Sequence, residues 1–247
     1  MSRTVAEAIT PGALGASSAE ETLPTATQPA RWVRVVLASA AVIAVLLIGA
    51  VLGPVIIGGS TAEGGTVDVG FAQDMSIHHR QAVLMAGLAR DRSTDPAIRL
   101  LAFDIETNQL EQIGQMQGWL SLWNAAPLAT GRFMTWMPDA SMPGMSGMAH
   151  GGESSTAGVA TMPGMASPAD LDRLREPSGA QFDVLFLQLM LRHHQGGTPM
   201  ARYAEQHAET VQVRNLAEKM AISQGAESEY MTQLLAQRGA QPLPPPR

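Results

Sequence analysis

The chain has 247 residues, no cysteine and a formal charge of −6 at pH 7. That length allows one or two domains, and the lack of cysteine excludes disulfides, thiolate metal sites and a lipoprotein anchor alike. Sixteen basic residues against 22 acidic ones argue against nucleic acid as a partner and mildly favour cations.

Residues 1–30 are small and polar, with Pro11, Pro24 and Pro29 and no hydrophobic period, which predicts a disordered tail. Arg31, Trp32 and Arg34 then lead into an uncharged run from Val35 to Ile57. At about 1.5 Å per residue this run spans a hydrocarbon core of roughly 30 Å. It is longer than a signal-peptide core of about 7–15 residues, so residues 31–57 are expected to form a transmembrane anchor. The small residues from Gly58 to Ala62 keep a cleaved signal, and hence secretion, open as the alternative. Arg31 and Arg34 before the span, with Glu63, Asp68 and Asp74 after it, predict a cytoplasmic N-terminus. Everything beyond the span then lies outside the cytoplasmic membrane. Up to residue 57 three Arg cancel three Glu, so the outer part carries the whole −6, as 13 basic and 19 acidic residues.

Self-comparison reveals a duplication. A shift of 115 residues aligns Asp68 with Asp183, Phe71 with Phe186, Gln73 with Gln188, Met75 with Met190, and His78-His79 with His193-His194. The register continues through Met85 with Met200, Arg99 with Arg214, Gln109 with Gln224, Met116 with Met231 and Leu120 with Leu235. One register without a gap over such a stretch marks two copies of one unit, 67–124 and 178–239, within a helical domain at 66–239.

Each copy reads as a helix pair. The first helix runs from about Asp68 to Arg90, and Asp95-Pro96 caps and opens the second, which runs to about Trp123. Ile98, Leu101, Ile105, Met116 and Leu120 form its apolar stripe. In the second copy Ser178 opens one helix and Thr210 the next, which ends at Gly239. Two short-looped hairpins with complementary stripes predict an all-α four-helix bundle. No segment alternates as a strand. The linker at 125–167 is rich in Gly, Pro and Ser and holds seven of the 15 Met. Helix is not expected there until Ser167-Pro168 opens a short one to about Arg175. Residues 240–247 form a Pro-rich, extended tail.

On an ideal helix, Phe71, Asp74, Met75, His78, Ala82, Met85 and Ala89 share one face. His79 lies on its flank, in line with Met75 and, three turns earlier, Asp68. Met75 and one or both histidines, His78 and His79, can therefore converge on one ion, with Met85 two turns on, and Met190, His193, His194 and Met200 repeat the set. Thioether and neutral imidazole together suit Cu(I), and less well Cu(II). For a single copy the plainer reading is a hydrogen-bonded core histidine beside gap-filling methionine; recurrence at the same offsets favours metal. The second copy departs at Leu189, where the first has Asp74, and at Gly196-Gly197-Thr198-Pro199. Pro199 predicts a kink just after the histidines.

Further candidates fall outside these sets. Asp68 and Asp74 are secondary ligand candidates. In the linker, Met142, Met145, Met148, His150, Met162 and Met165 form a soft-ligand tract, with simple packing on the bundle as the alternative. Gln109, Gln112, Gln224 and Glu227 interrupt the apolar stripes of the partner helices. They read either as groups that orient the histidines or as interhelical hydrogen bonds that set bundle register.

The strings Asp74-Met75-Ser76-Ile77-His78-His79-Arg80-Gln81-Ala82 and Phe186 to Gly196 resemble the bacterial family known as domain of unknown function 305, which includes CopM-like periplasmic copper-binding proteins. The resemblance covers about Val67 to Gly239. It implies a ferritin-like four-helix bundle, a role in copper homeostasis or resistance, and a ligand role for the eight Met and His residues of the two motifs. The leading expectation is an anchored protein that sequesters copper, with silver as a second candidate ion, or passes it to a transfer partner, without catalysis. A metal-free interaction module is the alternative, and a ferritin-like metal oxidase a third. The third lacks the Glu-x-x-His motif of di-iron bundles. Nucleophilic and phosphate-binding motifs are missing too.

Overall fold

The computed structural model describes residues 31–57, 63–138, 157–176 and 178–246. They fall into two units, Met1–Gly59 and Ser60–Arg247. In the first unit Arg31–Ile57 forms one helix of 27 residues, α1. Val35, Val36 and the side chains from Val42 to Ile48 that are large and apolar stand exposed. Among the described residues no helix is long and apolar enough to cross a membrane.

The second unit is helical, as expected. The first hairpin is α2 (Thr66–Arg92) and α3 (Pro96–Leu122); the second is α5 (Gly179–His207) and α6 (Val211–Gln237), with the short α4 (Pro168–Arg175) before it. The local chemistry explains the boundaries. Asp95 accepts from the Ala97 amide at 2.8 Å, and Pro96 takes the first helical position, where no donor is missed. Ser167 and Asp170 form a reciprocal capping box at the start of α4. Thr210 caps α6 by accepting from Val213. The only β pairing among the described residues is an isolated bridge between Phe133 and Val159 within the linker.

α2 and α5 lie at the centre and pack against each other, with α3 on α2 and α6 on α5. Their direction follows from the core. One apolar cluster joins Phe71 and Met75 of α2 and Met116 and Leu120 of α3 to Met200 and Ala204 of α5 and Val213 and Met220 of α6. The other joins Met85 and Ala89, Ile98 and Ile105, Phe186 and Met190, and Met231 and Leu235. The start of α2 thus meets the end of α5, so the two central helices run antiparallel. Their midpoints, where the histidines sit, fall between the two clusters.

The kink expected at Pro199 does not interrupt the helix: α5 continues through Pro199 to His207. Thr198 Oγ1 donates to the His194 carbonyl at 2.9 Å within this turn.

Asp68 has a structural task in this architecture. Its carboxylate accepts from the Glu209 amide (2.7 Å), the Thr210 amide (2.9 Å) and the Thr210 hydroxyl (2.5 Å), at the N-terminus of α6. A carboxylate there satisfies unpaired helix donors and faces the positive end of the helix dipole. Asp68→Ala should therefore lower stability by roughly 2 kcal/mol in denaturant titrations and leave metal stoichiometry unchanged. A fall in stoichiometry without a fall in stability would instead make Asp68 a ligand.

Candidate metal centre

Antiparallel packing of α2 on α5 brings all four motif histidines into one layer. His78, His79, His193 and His194 are each wholly buried. The inner two face each other, with the rings of His78 and His193 3.8 Å apart between centroids and tilted by 36°. The outer two point towards the partner helices. His79 Nε2–H donates to Gln112 Oε1 at 2.7 Å, and His194 Nε2–H donates to Glu227 Oε2 at 2.6 Å. These two bonds are related by the 115-residue repeat. Gln112 and Glu227 thus orient the outer histidines, one of the two readings of the stripe-breaking residues. Gln109 and Gln224 are buried in the same region, and neither Gln109 amide atom nor Gln224 Oε1 has a hydrogen-bond partner.

The inner pair is held by backbone. His193 Nε2–H donates to the His78 carbonyl at 3.1 Å, and His78 Nε2–H donates to the Pro163 carbonyl at 3.3 Å. A carbonyl or carboxylate can only accept, so these contacts set the tautomer. Every ring uses Nε2 as donor, and all four Nδ1 atoms are buried without a partner. An imidazole that donates one nitrogen to a protein acceptor and offers the other as a lone pair is the usual state of a metal-binding histidine.

Burial also keeps His78, His79 and His193 uncharged. Desolvation lowers His78 to about 4, with further lowering by His194. It lowers His79 to about 3, helped by the nearby His78 ring. His193 falls well below its ordinary value, again chiefly through desolvation. No proton has to leave before these nitrogens can bind a cation.

The eight motif residues are redistributed relative to the sequence reading. Met75 and Met200 share the cluster on one side of the histidine layer, and Met85 and Met190 share the one on the other; all four are wholly buried. The two ligand sets expected one per copy are thereby merged about a single layer. Among the described residues no three or more His, Asp or Glu side chains form a group that could hold a metal ion. The nearest nitrogen donors come as the His78–His193 pair, with thioethers in the flanking clusters.

Asp74 fastens the linker. Its Oδ2 accepts from the Met134 amide (2.7 Å) and from Trp136 Nε1–H (2.8 Å), while Oδ1 has no partner. Burial raises its carboxyl above the usual range, against the lowering effect of these two donors. Leu189 stands at the matching position of the second copy, where no linker segment needs holding. Met162 is buried with Met75 and Met200, and Met165 is half-buried against the same cluster. Met142, Met145, Met148 and His150 lie outside the described residues.

Three further contributors were not recognised in the sequence. Gly196 admits the linker, since a Cβ there would sit 2.1 Å from the Pro163 oxygen. Gly197 admits the layer itself: a Cβ would meet His78 Cε1 at 3.0 Å and Gln224 Oε1 at 3.2 Å. Gln81 grips the linker from the other helix, donating to the Ala166 carbonyl (2.9 Å) and accepting from the Ala166 amide (2.6 Å). The Gly-Gly pair was the visible signal, but it reads as a helix break until the linker is in position.

The sequence from 68 to 235 matches the family model described as a domain of unknown function, DUF305. The chain belongs to the DUF305 family. Among solved structures, this DUF305 chain is similar to a DUF305 protein from Streptomyces coelicolor assigned as secreted. Identity is 39% and the TM-score 0.61, over 72% of this chain and 97% of that one. It is also similar to a DUF305 fragment from Deinococcus radiodurans, at 30% identity and TM-score 0.55, over 70% and 98%. CopM in its Cu(II)-bound form matches at 25% identity and TM-score 0.51, over 69% and 96%. No curated protein matches.

The neutral layer makes a pH prediction for the metal-free DUF305 protein. Unfolded histidine takes up a proton near pH 6.5, whereas folded His78 does so only near 4. The unfolded state therefore binds more protons between these values, and stability present above about pH 6.5 is lost as the pH falls towards 4. The loss should be on the order of 3 kcal/mol from His78 alone, read from denaturant midpoints at constant m-value. A stability maximum below pH 6 would contradict a neutral layer.

Proposed function

We propose that this protein is an extracytoplasmic copper-binding protein, which sequesters copper or passes it on without turning it over. The observation that carries this reading is the layer of four buried imidazoles, each with Nε2 satisfied by the protein and Nδ1 left as an unshared lone pair. Unpaired buried polar atoms are costly, and a soft cation would satisfy them. His78, His79, His193 and His194 would supply nitrogen, and Met75, Met85, Met190 and Met200 sulfur. Imidazole with thioether suits Cu(I) best, then Cu(II), and also Ag(I). CopM, a structural relative at 25% identity, has a Cu(II)-bound form and a silver-bound form.

In this reading the ion is cargo, and the donors that serve it come from both copies, centred on the His78–His193 pair. Gln112 and Glu227 keep the outer rings in the correct tautomer. Delivery would involve a copper-transfer partner outside the membrane. The uncharged run from Val35 to Ile57, with Arg31 and Arg34 before it, supports a single N-terminal span with the helical unit outside. The secreted assignment of the Streptomyces relative agrees with an extracytoplasmic site.

The test is titration of the purified protein with Cu(I) against a competing chelator, with silver in parallel. Changing all four motif histidines to Ala should abolish tight binding. In the parent protein, silver should raise Tm, since a ligand bound only by the folded state adds about 2.7 kcal/mol at a hundredfold excess over Kd. Unchanged affinity and stoichiometry in the four-histidine variant would remove the layer as the site. A Tm indifferent to both ions would favour the metal-free interaction module.

A further inference from the structure

The histidine layer is sealed. All four rings and the four flanking methionines are wholly buried, so no ion reaches an Nδ1 atom without movement of some cover. Helices form most of that cover. At one place the cover is a strap, Met162-Pro163-Gly164-Met165-Ala166, which crosses the layer between α2 and α5. Its Pro163 carbonyl lies against His78, and Gly164, at φ +78°, approaches the Arg192 carbonyl and the Cα atoms of His193 and Gly196 so closely that a Cβ would clash.

We propose that this strap is the gate of the histidine layer: it lifts to admit or release a soft cation and reseats on Gly196 and Gln81. The inference rests on the metal-binding reading above. Four observations point to the strap and not to a helix. It is held by the two Gln81–Ala166 hydrogen bonds, the longer His78–Pro163 contact, and the seating of Met162 and Ala166 at the edges of the two apolar clusters. Parting α2 from α5 would instead open both apolar clusters, a far costlier event than local release of a short loop. The seat is built for close fit without side-chain interlock, glycine against glycine. A groove of about 450 Å³ runs along the outer side of the strap, lined by Met165, Asp170, Arg192 and Pro244 among others. Half-buried Met165 therefore offers a thioether on the outer side and buried Met162 one on the inner side, towards Met75 and Met200.

The test uses the full-length protein with Ag(I) as probe. Gln81→Ala removes both bonds to Ala166, and Gly196→Ala puts a methyl group where the Pro163 oxygen sits; both changes favour helix, so α2 and α5 remain formed. Each should speed silver uptake and release by about tenfold or more, as expected for the loss of two ordinary hydrogen bonds, with unchanged stoichiometry. In the metal-free protein, amide exchange should rise at 162–166 and stay the same in the middle of α2 and α5. Unchanged silver kinetics, together with faster exchange at 162–166 and intact stoichiometry, would overturn the gate alone. Faster exchange throughout α2 and α5 would assign entry to helix separation and also overturn it. Absence of silver binding by the parent protein would overturn the metal reading and the gate with it.

Discussion

Four imidazoles closed off from water between the two apolar clusters of the central helix pair impose the constraint on which the rest of this molecule depends. A buried ring nitrogen without a partner is expensive, so each Nε2 has to be met by something. Two partners come from helices outside the central pair, Gln112 and Glu227; one is the carbonyl of a facing histidine; the last arrives on the linker. These four needs account for polar residues in the middle of α3 and α6, for the antiparallel meeting of α2 and α5 at their midpoints, and for a linker that runs across the bundle. What remains after they are met is the row of Nδ1 lone pairs.

The duplication makes the two halves alike, and the linker makes them differ. A single chain joining two copies can cross only one side of the pseudo-symmetric unit. Three departures between copies fall where it crosses: Asp74 against Leu189, Gln81 against Gly196, Ala82 against Gly197. Asp74 and Gln81 bind the linker from α2, while the two glycines make room for it and for His78 on α5. Other positions keep equivalent contacts. Gln73 donates to the Ala126 carbonyl, and Gln188, its counterpart, donates to that of Gln241. The three departures therefore report the path of the linker.

Much of this was legible in the sequence because it depends on local chemistry. The 115-residue repeat, Asp95-Pro96, Ser167-Pro168 and Thr210 mark helix starts through donors and rings that act within one turn, and they locate the helices to within two or three residues. Gln112 and Glu227 were legible as polar breaks in apolar stripes. The remainder depends on long-range pairing, which periodicity does not encode. Asp68 shares a helix face with the metal motif, yet its partners lie 141 and 142 residues away at the start of α6. Met75 and Met85 lie on one face of one helix, yet antiparallel packing sends them to opposite sides of the histidine layer. Gly-Gly-Thr-Pro carries the local chemistry of a helix break, but packing holds α5 helical through it and uses the glycines as a seat.

The electrostatics of the sealed layer bear on which cation the proposed site would prefer. Moving an ion out of water costs energy in proportion to the square of its charge, so a divalent ion loses far more than a monovalent one on entering a dry site. Neutral imidazoles and thioethers return dipole and polarizability but no net charge. Glu227 is the one carboxylate hydrogen-bonded to the four rings among the described residues, and it already faces His194. One negative charge balances one positive charge. A buried site of neutral nitrogen and sulfur donors with a single flanking carboxylate would therefore favour a soft monovalent ion such as Cu(I) or Ag(I), on desolvation as well as on donor softness. Replacing Gln112 by Glu would add the matching carboxylate at the pseudo-symmetric position, and by the same argument it would shift the balance towards Cu(II).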